Sequence, residues 1–573
     1  MANSVEVVKA NSNGLRGNVA ESIDRGEAVK GGDATLVKFH GIYMQEDRDL
    51  RGVARDAGAA KEFFAMVRTR IPGGILSAEQ YLIHDRMADA VGNGALRITS
   101  RQGFEMHYVG IGNLRSYLRA LDEFKLTSWA ACGDVVRNVV ATPVPLATPA
   151  HREARRLALE LAAALKPQDE AYLEVWINGE KQDAPAPVDP FYGATFLPRK
   201  FKIAVAVPPR NDVDVFTHDI GFVAHVENDA VTGYTILVGG GMGMTHGKQE
   251  TYPVLAKPLF FVRPEHAVAA AEAIVTTQRD YGNRENRKRA RLKYLIETRG
   301  VRWFRAEVES RLKQPTEQPR EITFDTMADP LDWNPQGDGK LFLGVRVENG
   351  RIRDYERVKY RTAFRELVTT IGTPVRLTPN HNILFTDIDP AQRRDAQAIL
   401  RNHAIPGATF YTQARRTSMA CVALPVCGQA LAEAERIFPG VMDGVDAALR
   451  ELGLAEEPLL VRMTGCPNGC VRPYNADFAF VGRSPGQYAV YIGGSFVGDR
   501  LAGLAHRSVA EPDLAPLVRG YLEEFVANRW QNETFSNYWG RTREPLPEPH
   551  PSQFHEEYAL LESSGRAGAV MGA

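Results

Sequence analysis

Two stretches of the chain repeat one pattern, LRITSRQGF at residues 96–104 and VRLTPNHNI at residues 375–383. In both, apolar residues alternate with polar ones and lead into a polar turn, which is typical of a β-strand entering a hairpin. Arg97 and Arg376 hold the same place in the two stretches, 279 positions apart. The repeat favours an internal duplication of one α/β unit.

A second pair of stretches follows in the same order. Residues 234–241 and residues 488–494 each form an apolar, strand-like run that ends in consecutive glycines. Gly240 and Gly494 are 254 positions apart, so the two halves differ by insertions. Two short matches can arise by chance, but their shared order predicts an α+β protein built from two related halves.

The composition is that of a large globular protein. The 573 residues predict about three to five domains. Hydrophobic residues make up 44% of the chain and charged residues 24%, which excludes a disordered or fibrous protein. The 69 Lys and Arg against 70 Asp and Glu leave a net charge of −1. A broad basic surface for nucleic acid or for an anionic membrane is therefore excluded.

The ends of the chain and its prolines predict its compartment and its boundaries. No run reaches the ~18 apolar residues of a membrane helix, and the first residues lack a secretory signal pattern. We therefore expect a cytoplasmic protein with reduced cysteines. Residues 1–35 are polar and predict a mobile N-terminal arm, and the tail from Pro545 predicts a second loose segment. Proline-rich stretches at 141–150 and 314–339 indicate breaks between domains.

Four of the five cysteines form two pairs, Cys421 with Cys427 in MACVALPVC and Cys466 with Cys470 in TGCPNGC. Four thiolates suit either tetrahedral zinc or an iron–sulfur cluster. Structural zinc favours shorter spacings than the five residues of the first pair, whereas the Pro-Asn-Gly turn of the second can aim backbone amides at sulfide. The third interpretation is that these cysteines only pack in a hydrophobic core. Cys132, between Ala and Gly, is expected to be a small buried residue.

Four cations form a second constellation: Arg101, Arg137, Lys200 and Lys202. Because residues two apart on a strand share a face, the two lysines of the Lys-Phe-Lys run would point at the same ligand. Arginine offers a fixed fork of donors to an oxyanion, and lysine is the better proton donor. Taken singly, each cation is also compatible with an exposed charge on a strand.

The Cys-x5-Cys and Cys-x3-Cys pattern resembles that of the sulfite and nitrite reductases that hold siroheme and a [4Fe–4S] cluster. The likeness runs from about residue 13 to about residue 500 and is greatest to the assimilatory sulfite reductases. It implies an α+β fold of two duplicated halves about a pseudo-two-fold axis, with three domains around siroheme. The implied parts are a ferredoxin-like paired domain (36–135 plus 340–410), a siroheme- and substrate-binding α/β domain (136–330) and an iron–sulfur and siroheme-binding α/β domain (411–573).

The resemblance also implies roles for individual residues. The implied cluster ligands, of which the last bridges to the siroheme iron, are Cys421, Cys427, Cys466 and Cys470. The implied substrate-binding and proton-delivering residues are Arg101, Arg137, Lys200 and Lys202. Contacts to siroheme are implied for Arg97, Arg199 and Asn283, in addition to Cys470.

The expected activity is the six-electron reduction of sulfite to sulfide. Lys202 favours sulfite, since nitrite-reducing relatives typically depart from Lys-x-Lys there; a siroheme nitrite reductase is the alternative. A zinc-stabilised, non-catalytic binding protein is the alternative from another class. No dinucleotide or phosphate-loop motif occurs, because the glycines of 239–243 lack the required spacing. An external electron donor is therefore expected, an NADPH-dependent flavoprotein subunit or a ferredoxin, with residues 1–35 as its docking arm.

Overall fold

The computed structural model describes residues 3–168, 175–177, 180–182, 188–543 and 553–555. The loose tail expected from Pro545 lies outside these residues, apart from 553–555. The chain divides into two compact units: Met1–Gly241 with Ala256–Asp325 and Asp329–Gly407, and Met242–Leu255 with Thr326–Ala328 and Ala408–Ala573. Among the described residues, no helix has the length and apolarity needed to span a membrane.

The described residues form sixteen α-helices: α1 (Ser4–Ala10), α2 (Val19–Asp24), α3 (Asp33–Leu36), α4 (Arg51–Asp56), α5 (Ala78–Ala90), α6 (Leu114–Glu123), α7 (Pro149–Ala164), α8 (Ala267–Tyr281), α9 (Leu292–Arg299), α10 (Val301–Arg311), α11 (Tyr360–Ile371), α12 (Arg393–Asn402), α13 (Gln413–Thr417), α14 (Phe438–Glu451), α15 (Leu514–Asn528) and α16 (Phe535–Thr542).

The strands, arranged in four five-stranded sheets and one two-stranded ribbon, are β1 (Ile42–Gln45), β2 (Phe64–Arg68), β3 (Ile75–Leu76), β4 (Leu96–Ile98), β5 (Phe104–Val109), β6 (Val140–Ala141), β7 (Val175–Ile177), β8 (Glu180–Gln182), β9 (Ile203–Ala206), β10 (Ile220–Glu227), β11 (Ala230–Val238), β12 (Lys257–Val262), β13 (Asp332–Pro335), β14 (Leu341–Val345), β15 (Arg351–Ile352), β16 (Val375–Leu377), β17 (Ile383–Ile388), β18 (Met419–Ala420), β19 (Val461–Thr464), β20 (Phe478–Ser484), β21 (Gln487–Ile492) and β22 (Gly503–Ala510).

Two sheets of the first unit have matching strand orders, β1-β2-β5-β4-β15 and β13-β14-β17-β16-β3. Each sheet takes its last strand from the other half, since β15 pairs antiparallel with β4 and β3 with β16. The two repeated stretches of sequence are the hairpins β4–β5 and β16–β17, as predicted. Strand β13 begins before residue 340, so the second half of this pair starts earlier than the sequence indicated.

The remaining two large sheets also match, with orders β6-β9-β10-β11-β12 and β18-β19-β20-β21-β22. In each sheet, the first three strands run parallel to one another, and the fourth strand pairs antiparallel with both of its neighbours. The glycine pairs of the second repeat follow β11 and β21 directly. The duplication predicted from the sequence therefore extends to both kinds of sheet.

The N-terminal segment differs from the mobile arm expected from its polar composition. Residues 4–36 contain α1, α2 and α3, and they pack into the core of the first unit. Leu15 is fully buried, and Val19 and Ile23 are 7% and 8% exposed. A segment of mostly polar composition can still pack against a core when a few apolar side chains lie on one face and the polar residues stay at the surface. The expectation of a loose arm is therefore wrong for this part of the chain.

Candidate functional site

Three of the four predicted cations lie on adjacent chain segments that lead into β6 and β9. These strands belong to the sheet β6-β9-β10-β11-β12, here called the first α/β sheet; the sheet β18-β19-β20-β21-β22 is the second. Lys200 and Lys202 immediately precede β9, and Arg137 lies three residues before β6. The Phe201 N–H donates to the Val135 carbonyl (3.0 Å), and the Arg137 N–H donates to the Phe201 carbonyl (2.9 Å). Phe201 is 1% exposed, so the residue between the two lysines is buried while the lysines themselves are only half-buried.

Arg101 joins this group from the turn between β4 and β5. Its guanidinium donates to the Asn138 carbonyl and to the Ile203 carbonyl, the latter at 3.4 Å. The Asn138 amide returns a hydrogen bond of 2.7 Å to the Arg101 carbonyl. These bonds attach Arg101 to the residues next to Arg137 and Lys202. The structure thus brings together all four cations that the sequence singled out.

Like charges and burial shift the pKa values of both lysines. Burial is the largest cause that holds the pKa of Lys200 well below its usual range, and Arg137, Arg199 and Lys202 add to it. Lys200 and Lys202 are both half-buried residues. Positive charge concentrated in such a cluster, with little water around it, favours a bound anion, because the anion offsets the mutual repulsion.

For Lys202, burial again lowers the pKa most, followed by Arg101 and Arg291, while Asp219 opposes the shift. Asp219 is fully buried and accepts the Lys202 N–H at 2.9 Å. It also accepts Arg291 Nε at 3.1 Å and Nη2 at 2.8 Å. Sequence reasoning missed this pair, although Asp219 precedes β10 just as Asp477 precedes β20 in the second half.

Three of the residues predicted to contact siroheme, Arg97, Arg199 and Asn283, lie in the first unit and have partners of their own, whereas Cys470 lies in the second unit. Arg97 Nη1 lies 3.5 Å from the Glu105 carboxylate. Burial lowers the pKa of Arg199 to about 10, and its Nη1 lies 3.9 Å from Asp134. Asn283 Oδ1 accepts two backbone N–H groups of the turn that follows it, at 2.9 and 2.8 Å.

The paired cysteines lie in the second unit, after neighbouring parallel strands. Cys421 follows β18, while Cys466 and Cys470 lie in the loop after β19. The Gly465 N–H donates to Cys421 Sγ at 3.3 Å. Burial raises the pKa of Cys421 to about 12, with added contributions from Cys470 and Cys427. Cys466 is shifted in the same direction by burial, Cys470, Cys421 and Cys427, so the four thiols lie within electrostatic reach of each other.

Cys421 and Cys466 are buried, Cys427 is half-buried and Cys470 is exposed. Buried thiols do not ionise readily without a compensating cation, which is the role that metal ions take in thiolate sites. Within the described ranges, no three His, Cys, Asp or Glu side chains are arranged around one point for a single metal ion. Gly469 adopts φ +62°, which explains the glycine of the Pro-Asn-Gly turn. The Met244 N–H and the Tyr474 hydroxyl each donate to the Pro467 carbonyl at 3.0 Å and fix this loop.

Cys132 is fully buried, as predicted. Its sulfur accepts a hydrogen bond of 2.7 Å from Arg68 Nη1, and Arg68 also pairs with Glu105. The fifth cysteine is therefore part of a polar network in the first unit and lies five positions before Arg137.

Two family models match the chain. The nitrite/sulfite reductase ferredoxin-like half domain matches twice, at residues 58–124 and 334–403, which confirms the duplication. The nitrite and sulphite reductase 4Fe-4S domain matches residues 159–316. That match contains no cysteine and covers the copy that carries Lys200 and Lys202, whereas the paired cysteines lie in the other copy.

Curated relatives match over nearly the whole chain. Proteins from Chromohalobacter salexigens (43% identical, covering 96% of this chain and 97% of the relative) and Myxococcus xanthus (41%, covering 96% and 98%) are both named sulfite reductase (NADPH) hemoprotein beta-component. The solved structure of Mycobacterium tuberculosis NirA protein matches with a TM-score of 0.76 at 23% identity, over 94% of this chain and 96% of that one, and supports the fold. The chain belongs to the family of nitrite and sulfite reductases.

Proposed function

We propose that this protein is the hemoprotein component of an assimilatory sulfite reductase and reduces sulfite to sulfide with six electrons. The observation that carries the proposal is the clustering of Arg101, Arg137, Lys200 and Lys202 on hydrogen-bonded segments of the first unit. A small dianion is the ligand that such a cationic cluster suits, because each oxygen can meet a separate donor.

The donor sets fit the cofactors of this family. Cys421, Cys427, Cys466 and Cys470 would hold a [4Fe–4S] cluster, in which each thiolate binds its own iron and convergence on one point is not required. Arg97, Arg199 and Asn283 would face the carboxylates of siroheme, and Cys470 would link the two groups. When bound, the cluster and siroheme would pass electrons from an external donor to the substrate, and siroheme would supply the iron that takes the substrate.

The protein's own residues contribute charge and protons. The guanidinium groups of Arg101 and Arg137 offer fixed forks of N–H donors and would hold the sulfite oxygens. Lys200 and Lys202, whose pKa values lie well below that of free lysine, can give up a proton from Nζ. We assign them the delivery of protons to the oxygens that leave as water.

The electron donor would be a separate protein. The names of the curated relatives refer to NADPH, and for this chain we propose an NADPH-dependent flavoprotein subunit, with ferredoxin as the alternative. Residues 4–36 pack against the core, so they do not support the docking arm that their composition suggested. A cytoplasmic location stays a prediction from the sequence.

Two measurements test the proposal. With a reduced dye as donor, kcat/KM for sulfite should exceed kcat/KM for nitrite; a clear nitrite preference would replace the first substrate by the second. The purified protein should show a tetrapyrrole spectrum, with iron and acid-labile sulfide. A colourless protein that contains zinc and no iron would instead establish the non-catalytic binding protein.

A further inference from the structure

Helix α1 carries a buried lysine that contacts the segment leading to Lys200. Lys9 is 1% exposed, although lysine is among the residues least often fully buried. Its Nζ lies 2.9 Å from the Leu197 carbonyl, 2.5 Å from Glu6 and 3.5 Å from Asp134. A charge so far from water is stable only because each of these oxygens faces it.

Asp134 connects this lysine to the cations of the site. Its carboxylate accepts Arg287 Nη1 at 2.8 Å and Nη2 at 3.0 Å, and Arg199 Nη1 lies 3.9 Å away. Asp134 is 2% exposed and lies three positions before Arg137. One carboxylate therefore shares its charge among Lys9, Arg199 and Arg287.

Leu197 makes the second connection. It lies three positions before Lys200, and its N–H donates to the Asp134 carbonyl at 3.0 Å. Arg284 donates to the neighbouring Phe196 carbonyl at 2.7 Å and pairs with Glu6 of α1. The segment that leads to Lys200 is thus held from one side by α1 and from the other by Asp134.

We propose that Lys9 is a positioning residue for the anion site: through Asp134 and the Leu197 carbonyl it fixes Arg199 and the Lys200–Lys202 segment. This inference rests on the proposed function. It gives the first helix a role in substrate binding in place of partner docking.

The physical argument is a balance of buried charge. Without Lys9, the carboxylates of Glu6 and Asp134 lose a shared cation in a place with little water. Arg199 is the cation best able to respond, because its side chain is 34% exposed. If the Arg199 guanidinium moves towards Asp134, it moves away from Lys200, where it now contributes positive charge. Affinity for a dianion should fall as a result, while the reacting groups stay in place.

The test uses the full-length holoprotein and three substitutions of one side chain. Lys9→Met removes the charge and the hydrogen bonds, Lys9→Gln keeps donors for the Leu197 carbonyl, and Lys9→Arg restores a cation. Lys30→Met is the matched control, because Lys30 lies in the same N-terminal segment and is exposed. For each protein, kcat and KM for sulfite are measured, together with the rise in melting temperature that sulfite produces.

Lys9→Met should raise KM for sulfite about tenfold, which corresponds to about 1.4 kcal/mol, with kcat changed less than KM. Lys9→Arg should recover most of the affinity, and Lys30→Met should match the unsubstituted protein. If Lys9→Met does not fold, Lys9→Gln should show the same direction. A lower melting temperature with unchanged KM, in whichever of Lys9→Met and Lys9→Gln folds, would make Lys9 a structural residue only and overturn the inference.

The thermal measurement separates this inference from the proposed function. If the protein fails to reduce sulfite, the proposed function fails, but sulfite can still raise the melting temperature by binding to the four clustered cations. The inference then depends on whether Lys9→Met reduces that rise. An equal rise in both proteins would refute the role of Lys9, whatever the activity.

Discussion

Thr142 Oγ1 donates a hydrogen bond of 2.8 Å to the buried carboxylate of Asp212, and these two residues hold in the first α/β sheet the places that Cys421 and Cys470 hold in the second. In the second sheet these places carry two thiols proposed to bind a metal cluster. In the first sheet they carry a hydroxyl and a carboxyl group that hydrogen-bond to each other. The duplicated halves have therefore diverged into two chemistries on one backbone.

The correspondence rests on strand register. Thr142 follows β6 directly and Cys421 follows β18 directly, and each N–H donates at 3.1 Å to a residue in the middle of the next strand, β9 or β19. Asp212 lies six positions beyond the end of β9, and Cys470 lies six positions beyond the end of β19. Both loops continue through a residue with positive φ, Asp214 or Arg472.

Asp212 should make stability depend on pH. Burial raises its pKa to about 7, and its Oδ1 has no hydrogen-bond partner among the residues that the structure describes. Because the folded form binds this proton more tightly than the unfolded form, the free energy of unfolding should fall as pH rises from about 4 to about 7. The fall can reach about 4 kcal/mol. Asp212→Asn should remove this part of the pH dependence, as measured by urea unfolding at pH 5 and pH 8.

Asp325→Asn is the control for that experiment, because Asp325 is an exposed carboxylate of the same unit. It should keep the pH dependence of the unsubstituted protein. An identical dependence in Asp212→Asn would show that the carboxyl group is ionised in the folded state or titrates as it does in the unfolded chain.

Local patterns carried the parts of the fold that could be predicted. The hairpins β4–β5 and β16–β17 were visible because alternation over several residues and a polar turn are encoded locally. The exchanged strands β3 and β15 were not, since two residues are too few to show a period. Their pairing depends on contacts between the halves, which a single sequence does not display.

The residues of the site also fall into two groups, those indicated by a local sequence pattern and those whose partners are distant in sequence. Lys200 and Lys202 could be singled out because residues two apart in an extended segment share a face, and because the family resemblance implies a role for both; in the structure they lie just before β9. Asp219 is paired with Arg291 across 72 positions, and Lys9 reaches Leu197 across 188 positions. Nothing in the local sequence marks such residues, because their chemistry appears only once distant segments are packed together.

Cys470→Ser should separate the two proposed cofactors. Serine is a poor ligand for cluster iron, so we expect less iron and sulfide per chain and loss of electronic coupling between the tetrapyrrole and the cluster. Cys132→Ser is the control, because Cys132 lies in the first unit and contacts Arg68. It should leave the iron and sulfide content unchanged. Electron paramagnetic resonance and metal analysis check both, and unchanged coupling in Cys470→Ser would remove the bridging assignment.

Lys200→Arg should change how sulfite binding depends on pH. Burial and the neighbouring cations lower the pKa of Lys200, so this ammonium group loses its proton, and its attraction for an anion, at a pH well below that of free lysine. KM for sulfite should therefore rise towards alkaline pH in the unsubstituted protein and stay flatter with arginine. Because arginine is a poor proton donor, kcat should fall by about a hundredfold. Lys166→Arg, at an exposed position, should change neither; parallel KM profiles for Lys200→Arg and the unsubstituted protein would contradict the assignment.

Asp219→Asn should destabilise the protein and move the pH dependence of KM for sulfite to lower pH. The substitution leaves the buried Arg291 guanidinium without its carboxylate, at a cost of about 3–5 kcal/mol. Asp219 also raises the pKa of Lys202, so its loss should let Lys202 deprotonate at lower pH and move the alkaline rise in KM to lower pH. Asp477→Asn is the matched control from the second half: Asp477 is also buried, but it accepts the Leu460 N–H (2.8 Å) and the Ser536 hydroxyl rather than a guanidinium. It should leave the profile in place; equal effects of the two substitutions on melting temperature and on the pH dependence of KM would show that Asp219 has no special role at the lysines.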